Sequence, residues 1–550
     1  MKKITMIALA VLTAVSAGAQ TVYDATNIAQ KDLNGTARFV GMGGAMGALG
    51  GDISTIGTNP AGIGVYRSND AMITFGYSTT GTESKYLGTK FEENKNRWSF
   101  DNAGFVISTK IGNHTPLRYV NFGFNYHKTK SFYKNMTMQG MMGSLDGQYV
   151  SQIRSMAQQA TDGASEFYHR PQYDYPNDGK YLNYGSNNIY NNLYAGWLGA
   201  MGYQGNLFYE DESETNNVYS PYIPSEADAY FLSRERGGID QYDFNISFNV
   251  NDRFYFGVTF GAYDVDYNKY SLYDEAFNYT WEDGKNYEEG YSLESFNRIH
   301  GSGFDIKLGA IFRPIEDSPF RIGLAVHTPT YYKLTYTTGA LLNSDMYLPD
   351  GNGDETLTRT TVDTYSALGG RDMDRDFELQ TPWVFNASLG YTVGNYLALG
   401  AEYEYEDYSS MKFKYPGGDE MAWETGEADL CMKGVNTLRL GAEYKPIPAF
   451  ALRAGYNYSS AAYKENAIKA LPTNSINTDT DFANSKSMNT FTLGIGYRGS
   501  LLYADLAYKY DMYKSDFYPF YNDINGPVTP PATSVTNTRS QVLLTLGVRF

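Results

Sequence analysis

Cysteine occurs once in the 550 residues, at Cys431, which excludes an intramolecular disulfide framework and any cysteine-based zinc cluster. Histidine is nearly as scarce: His114, His127, His169, His300 and His327 show neither metal-ligand spacing nor a neighbouring nucleophile motif. There is no G-x-S-x-G elbow, and the glycine-rich stretch at 35–64 lacks the Gly-Lys-Ser/Thr ending of a phosphate cradle. The chain therefore reads as a non-enzyme, with no cofactor and no metal site. After residue 19 no run of about 18 uncharged apolar residues is available to cross a bilayer as a helix. A basic surplus is missing too. The formal charge is −17 and becomes more negative by two if Lys2 and Lys3 are removed, which argues against a nucleic-acid partner and for solvated acidic loops.

Aromatic residues and glycine are abundant: 51 Tyr, 30 Phe and 56 Gly accompany a mean hydropathy of −0.44. A β-barrel in a membrane has this signature, because lipid-facing and lumen-facing residues alternate and cancel in any average, while aromatic girdles mark the interfaces. The N-terminus agrees with export. Lys2 and Lys3 precede an apolar run at 4–15 and the small-residue site Ala17-Gly18-Ala19, so residues 1–19 read as a signal peptide cut before Gln20. No cysteine follows the cut, which argues against a lipid anchor.

The last ten residues alternate: Val542, Leu544, Leu546, Val548 and Phe550 share one face, while Gln541, Thr545, Gly547 and Arg549 share the other. This is the pattern of a closing barrel strand. Similar runs fall near 71–79, 101–110, 117–129, 239–250, 253–267, 299–313, 320–337, 376–392, 396–413, 435–446, 449–463, 488–498, 501–517 and 537–550. Short turns at 112–116, 251–252, 314–319, 393–395, 445–448 and 498–500 alternate with long polar connections at 80–100, 130–236, 276–295, 338–375, 414–434, 464–487 and 518–536. The expectation is an all-β fold: a 14-stranded antiparallel transmembrane barrel spanning 69–550, in the outer membrane of a Gram-negative bacterium, with both termini periplasmic and the long loops outside.

Facing follows from the same period. Near 396–413, Leu397, Leu399, Ala401, Tyr403 and Tyr405 take the lipid side, and Glu402, Glu404 and Glu406 the lumen. The following strands add Arg439 and Glu443, then Arg453, to the lumen, where charges of opposite sign on adjacent strands can pair. Glycines at 257, 261, 323, 390, 494 and 547 share the inward face and leave room for a plug or a passage.

Residues 35–64, GTARFVGMGGAMGALGGDISTIGTNPAGIG, are too small and too permissive for a lipid-facing strand but suit a hatch folded inside a lumen. Residues 20–68 are therefore read as an N-terminal plug. Asn59-Pro60-Ala61-Gly62 before a 14-strand pattern, together with RIGLAVHTP at 321–329, LGAEY at 399–403, LRLGAEY at 438–444, LRAGY at 452–456 and TLGIGY at 492–497, resembles the long-chain fatty acid transporter (FadL) family of outer-membrane proteins, which also includes aromatic-hydrocarbon channels. The similarity covers the plug and the second half of the chain, and is poor at 130–236. It implies passive uptake of a hydrophobic small molecule, binding in the lumen, rearrangement of a plug in which Asn59, Pro60 and Ala61 match the family motif, and release through a gap at the third strand. It also implies a monomer with outer-membrane lipid and the barrel-assembly machinery as its other partners.

The insertion at 130–236 carries Met136, Met138, Met141, Met142 and Met156, with a helical period at 151–160. Flexible, polarisable methionines suit a surface that accepts varied apolar ligands, so this outer loop is a candidate capture groove; a small core internal to the loop is the plainer reading. Asp350-Gly-Asn352-Gly-Asp354 begins like a calcium loop, but Glu355 stands where glycine is required, and an exposed acidic loop is the better reading. Two other functions remain open at this level: a general porin for polar solutes, and a barrel that displays adhesive surface loops.

Overall fold

The computed structural model describes residues 18–550 apart from 114, 169–181, 183–187, 192–194, 212–217, 282–283, 350–354 and 523–528. The signal segment 1–17, His114, His169 and the acidic loop at 350–354 lie outside the described residues.

One closed antiparallel barrel of 14 strands dominates. In chain order it is built from β1 (Asp70–Tyr86), β2 (Thr89–Lys110), β3 (Leu117–Ser131), β4 (Lys134–Met141), β5 (Ala227–Val250), β6 (Phe254–Thr280), β7 (Asn286–Phe312), β8 (Arg321–His327), β9 (Tyr331–Pro349), β10 (Met373–Gln380), β11 (Val384–Val393), β12 (Leu397–Asp407), β13 (Gly434–Ile447), β14 (Phe450–Ser459), β15 (Phe482–Arg498), β16 (Leu502–Tyr518) and β17 (Thr533–Arg549). Three passes are interrupted once each, so β3 with β4, β8 with β9 and β10 with β11 each make one strand of the barrel. β1 pairs with β17 from Asp70↔Arg549 to Lys85↔Ser534, which closes the cylinder and removes both edges. The two breaks at Pro329 and Pro382 are adjacent. Proline has no N–H for a ladder, and Thr381 Oγ1 accepts from Thr330 N at 2.8 Å while Thr328 Oγ1 accepts from Ile306 N at 3.0 Å.

The period of two sorts lipid from lumen. On β6, Phe254, Phe256, Val258 and Phe260 are exposed on the outer wall, while Tyr255 and Thr259 are buried inside. Beyond Ala262 the outward residues become Asp264, Asp266 and Asn268, so the apolar band ends there. A bilayer needs about 9–11 tilted residues per strand, whereas β6 and β7 have 27 each. The wall therefore rises far above the membrane. This corrects two of the expected loops: 80–100 and 276–295 are mostly the upper ends of long hairpins, the first closed at Leu87-Gly88 by two left-handed residues with φ of 43° and 97°.

Inside the cylinder lie the first helices, α1 (Val22–Ala29) and α2 (Ala37–Gly41), followed by single turns at Ile53–Gly57 and Pro60–Val65. The insertion supplies α3 (Ile153–Tyr168) and α4 (Trp197–Gln204), and α5 (Ala422–Cys431) comes from a later connection. These helices fold into the long-loop mouth, where Val22, Ile28, Ile153, Met156, Trp197 and Met201 join one apolar core with the upper strands. Among the described residues no helix is long and apolar enough to cross a membrane, which says nothing about strands. The first described residues, 18–20, lie near the long-loop mouth. Gln20 is buried near the long-loop mouth, its Nε2 3.0 Å from Met421 Sδ, because the plug enters the lumen from above before descending to β1.

Candidate functional site

Residues 35–65 fill the lower lumen, and the inward glycines are what admit them. A Cβ on Gly400 would sit on the Ala45 carbonyl oxygen, one on Gly455 on the Gly43 amide, and one on Gly257 on Pro60. Gly323, Gly390 and Gly494 face Asn59, Ala48 and Gly41 in the same way. At these positions the predicted room is occupied by the plug, whereas Gly261 meets Asp305 and Lys307 and Gly547 meets Tyr503.

Polar contacts fix it in place. Asn59 caps the turn Pro60–Val65 by accepting from Ala61 N at 3.1 Å, and its Nδ2 donates to Ala310 O of β7 at 3.3 Å. Ser247 Oγ donates to Pro60 O at 2.8 Å, Asn121 Nδ2 to Ile63 O at 2.7 Å, and Gly51 N to Gly62 O at 3.0 Å. The Asn-Pro-Ala-Gly segment is thus a capped turn and a wall contact at once.

The lumen charges form two clusters against the plug. Glu443 binds Arg38 of the plug at 3.0 Å and Arg453 of the wall at 2.7 Å, and Arg453 continues to Asp505 at 2.6 Å. Arg439 binds Glu402 at 2.7 Å and Glu404 at 2.5 Å, and the second oxygen of Glu402 accepts from Gly47 N at 3.0 Å. Glu402, Glu443 and Arg453 are all nearly inaccessible to solvent. Arg38 was not singled out from the sequence, although it is the only charged residue between Leu33 and Gly51.

Above the plug a cavity of about 360 Å³ remains, within the range of small-molecule sites. Lys31, His127, His327, Glu404, Arg439 and Asp511 line it together with Phe39, Phe132, Phe482 and Met488, so polar and apolar groups share its surface about equally. The methionines of the insertion lie higher. Met136, Met138, Met142 and Met156 are buried in the apolar core that closes the mouth, and only Met141, 49% exposed, faces solvent. Four of the five therefore do not form an open groove in this structure: β4 and α3 turn their apolar faces inward, where burial is favourable. Among the described residues no three metal-ligating side chains converge.

The wall itself has a discontinuity. The β2–β3 ladder runs from Lys110↔Tyr119 to Asn102↔His127 and stops. From Asp101 to Thr89 the corresponding edge of β2 has no strand partner. The third strand breaks at Phe132-Tyr133 and resumes as β4, paired only with β5 from Lys134↔Glu235 to Met141↔Asp228. Side chains rather than backbone hold β4 behind the β1–β2 hairpin: Thr82 Oγ1 donates to Asn135 O at 2.6 Å, Ser84 Oγ donates to Thr137 O, and Thr137 Oγ1 donates to Glu93 at 3.0 Å. Gly237 on β5, at φ 103°, takes up the change of direction. In the resulting seam stands Tyr133, with the Arg97 guanidinium 3.8 Å from its ring centroid and that of Arg236 at 5.8 Å. Thr80, Phe132 and Tyr133 also line the cavity, so the cavity reaches the seam.

Fold and site define a plugged 14-stranded transmembrane β-barrel. No family profile matches the chain, and no curated protein matches it. Similar solved structures include a Pseudomonas aeruginosa FadL homologue, 13% identical over 95% of this chain and 99% of that one with a TM-score of 0.48. They also include the Pseudomonas putida toluene transporter TodX, 10% identical over 94% and 99% with a TM-score of 0.42, and the Ralstonia pickettii toluene transporter TbuX, 12% identical over 94% and 99% with a TM-score of 0.41. Similarity of this degree identifies neither substrate nor mechanism.

Proposed function

We propose that this barrel is an outer-membrane channel for passive uptake of hydrophobic small molecules, long-chain fatty acids or aromatic hydrocarbons. The observation that carries the reading is the inward turn of the third strand at Phe132-Tyr133, beside the cavity, which supports a side exit at Tyr133. An apolar cargo gains by leaving sideways into lipid rather than downward into water. Entry from above requires the methionine-rich core around Met138 and Met156 to part, with Met141 as the exposed first contact; downward passage would require the plug, held at Asn59, Pro60, Ala61 and Gly62, to shift. The cargo, lipid and the assembly machinery are the partners of a monomer on this reading, with the short turns and C-terminus in the periplasm.

The charged groups in the cavity lining, among them Lys31, Glu404, Arg439 and Asp511, favour a second reading, a porin for polar solutes. Against it, the plug occupies the lumen where an aqueous channel would run.

Thr80 points into the cavity at the level of the seam, so Thr80→Trp tests the exit. Cells lacking other hydrocarbon channels are given labelled oleate, labelled toluene or labelled glucose. Uptake of oleate or toluene by the wild type, strongly reduced in Thr80→Trp while the barrel keeps its heat-modifiable mobility, supports side exit. Glucose uptake by the wild type with no oleate or toluene uptake replaces the proposal with the porin.

A further inference from the structure

The seam contains a cation that the channel reading does not use. Arg97 lies on the inward face of β2, above the last zipped pair. Its Nη1 is buried without a hydrogen-bond partner, and among the described residues no carboxylate lies within ion-pair distance of it. The nearby acids are engaged elsewhere: Glu93 accepts from Thr137, and Asp101 accepts from Asn34 at 2.9 Å and from Ser99 at 2.7 Å. The Tyr133 ring serves the face of the guanidinium but offers nothing to its in-plane N–H groups. A guanidinium nitrogen buried with an open donor is costly unless an oxyanion completes it.

Height identifies the oxyanion. Trp98, next in sequence, is 77% exposed on the outer face and packs on Tyr77 at 4.9 Å between ring centroids, while Phe100 stacks on Tyr126 at 5.4 Å. Such amphipathic aromatics settle at the membrane–water interface, so Arg97 stands at the depth of lipid headgroups. Below it, the β2 edge from Trp98 to Asp101 carries backbone groups without a strand partner, which hydrocarbon does not tolerate bare. Arg236, beyond Tyr133, spends Nη1 on Asn135 Oδ1 at 2.9 Å and on Glu235 O at 2.6 Å, yet adds a second positive charge.

We propose that the seam is a lipid site in which Arg97, backed by Tyr133 and Arg236, binds the headgroup phosphate of one membrane lipid whose chains cover the unpaired β2 edge from Trp98 to Asp101. The guanidinium fork matches a phosphate with two parallel hydrogen bonds. This rests on reading the barrel as membrane-spanning with the seam facing lipid, but not on what the channel carries.

Native mass spectrometry of the delipidated full-length protein in detergent tests it, with dioleoylphosphatidylglycerol, dioleoylglycerol and oleate as probes on wild type, Arg97→Gln and Arg97→Lys. One phosphatidylglycerol should bind the wild type, with dioleoylglycerol much weaker. Losing a charge-assisted hydrogen bond should weaken phosphatidylglycerol about tenfold in Arg97→Gln, with Arg97→Lys between the two. Equal binding by Arg97→Gln, or equal binding of dioleoylglycerol, overturns the site. Arg97-dependent binding of oleate alone also overturns it, by assigning the cation to a carboxylate cargo. Heat-modifiable mobility checks that each variant is folded, and oleate uptake, measured separately, reports on the channel without bearing on the lipid.

Discussion

The guanidinium of Arg97 stacks on the ring of Tyr133 across a gap where two barrel strands have parted. The ring lines the cavity at the break, where the β2–β3 ladder has ended. Tyr133→Ala should therefore leave the barrel folded and raise passive uptake of a labelled apolar cargo severalfold. Unchanged or reduced uptake, with normal heat-modifiability, shows that the ring does not close the exit.

The plug is held to the wall through Glu443, which bridges Arg38 and Arg453 in a buried site. Removing the shared carboxylate leaves two desolvated guanidinium groups, of which Arg453 retains a carboxylate, Asp505, and Arg38 only the Gly51 carbonyl. Glu443→Ala should destabilise plug docking by about 3–5 kcal/mol. Planar-bilayer recording should show transient ion-conducting openings absent from the wild type.

Gly400 lies against the Ala45 carbonyl, with no room for a side chain. Gly400→Val should displace the middle of the plug without touching the outer face. The expected result is protease sensitivity within residues 35–65 of a barrel that still resists denaturation at room temperature.

Glu424 on α5, outside the membrane-spanning strands, is buried, and desolvation pushes its carboxyl up to about 7. The unfolded value is near 4.5, so the folded form binds the proton more tightly. Its stabilising contribution is complete below pH 4.5 and is lost as the pH rises through about 7. Hydrogen exchange of residues 422–431, corrected for the intrinsic rate, should show weaker protection at pH 8 than at pH 5, and Glu424→Gln should flatten that difference.

Met138 is fully buried in the core that closes the mouth, whereas Met141, three residues on, is half exposed. Met138→Ala should cost about 2–5 kcal/mol of local stability in the cap, read as faster hydrogen exchange in α3, and Met141→Ser should leave it unchanged. If Met141 is the first contact for an apolar cargo, Met141→Ser lowers uptake at low concentration only.

The alternating runs were long and strongly periodic, so the strand number, the short turns and the facing of Glu402, Glu404, Arg439, Glu443 and Arg453 could be read before any coordinates. Strand ends could not. The upper parts of β1, β2, β6 and β7 stand above the membrane, where Lys, Glu and Asn replace the apolar face and the pattern resembles a loop. Arg97, Tyr133 and Arg38 escaped notice for a different cause: none belongs to a motif, and each matters through a neighbour distant in sequence.

The sequence by itself determined a barrel, because a side-chain period of two against lipid leaves one register that keeps apolar groups outside. It also marked the glycines that make a plug possible. Only the tertiary structure decided what fills that room, which charges meet across it, and where the wall parts. Those depend on pairings between residues hundreds apart, such as Arg38 with Glu443. They depend also on a backbone break at Phe132-Tyr133 whose inward turn is fixed by β5 on one side and by Thr82 and Ser84 on the other, and no local pattern encodes such a choice.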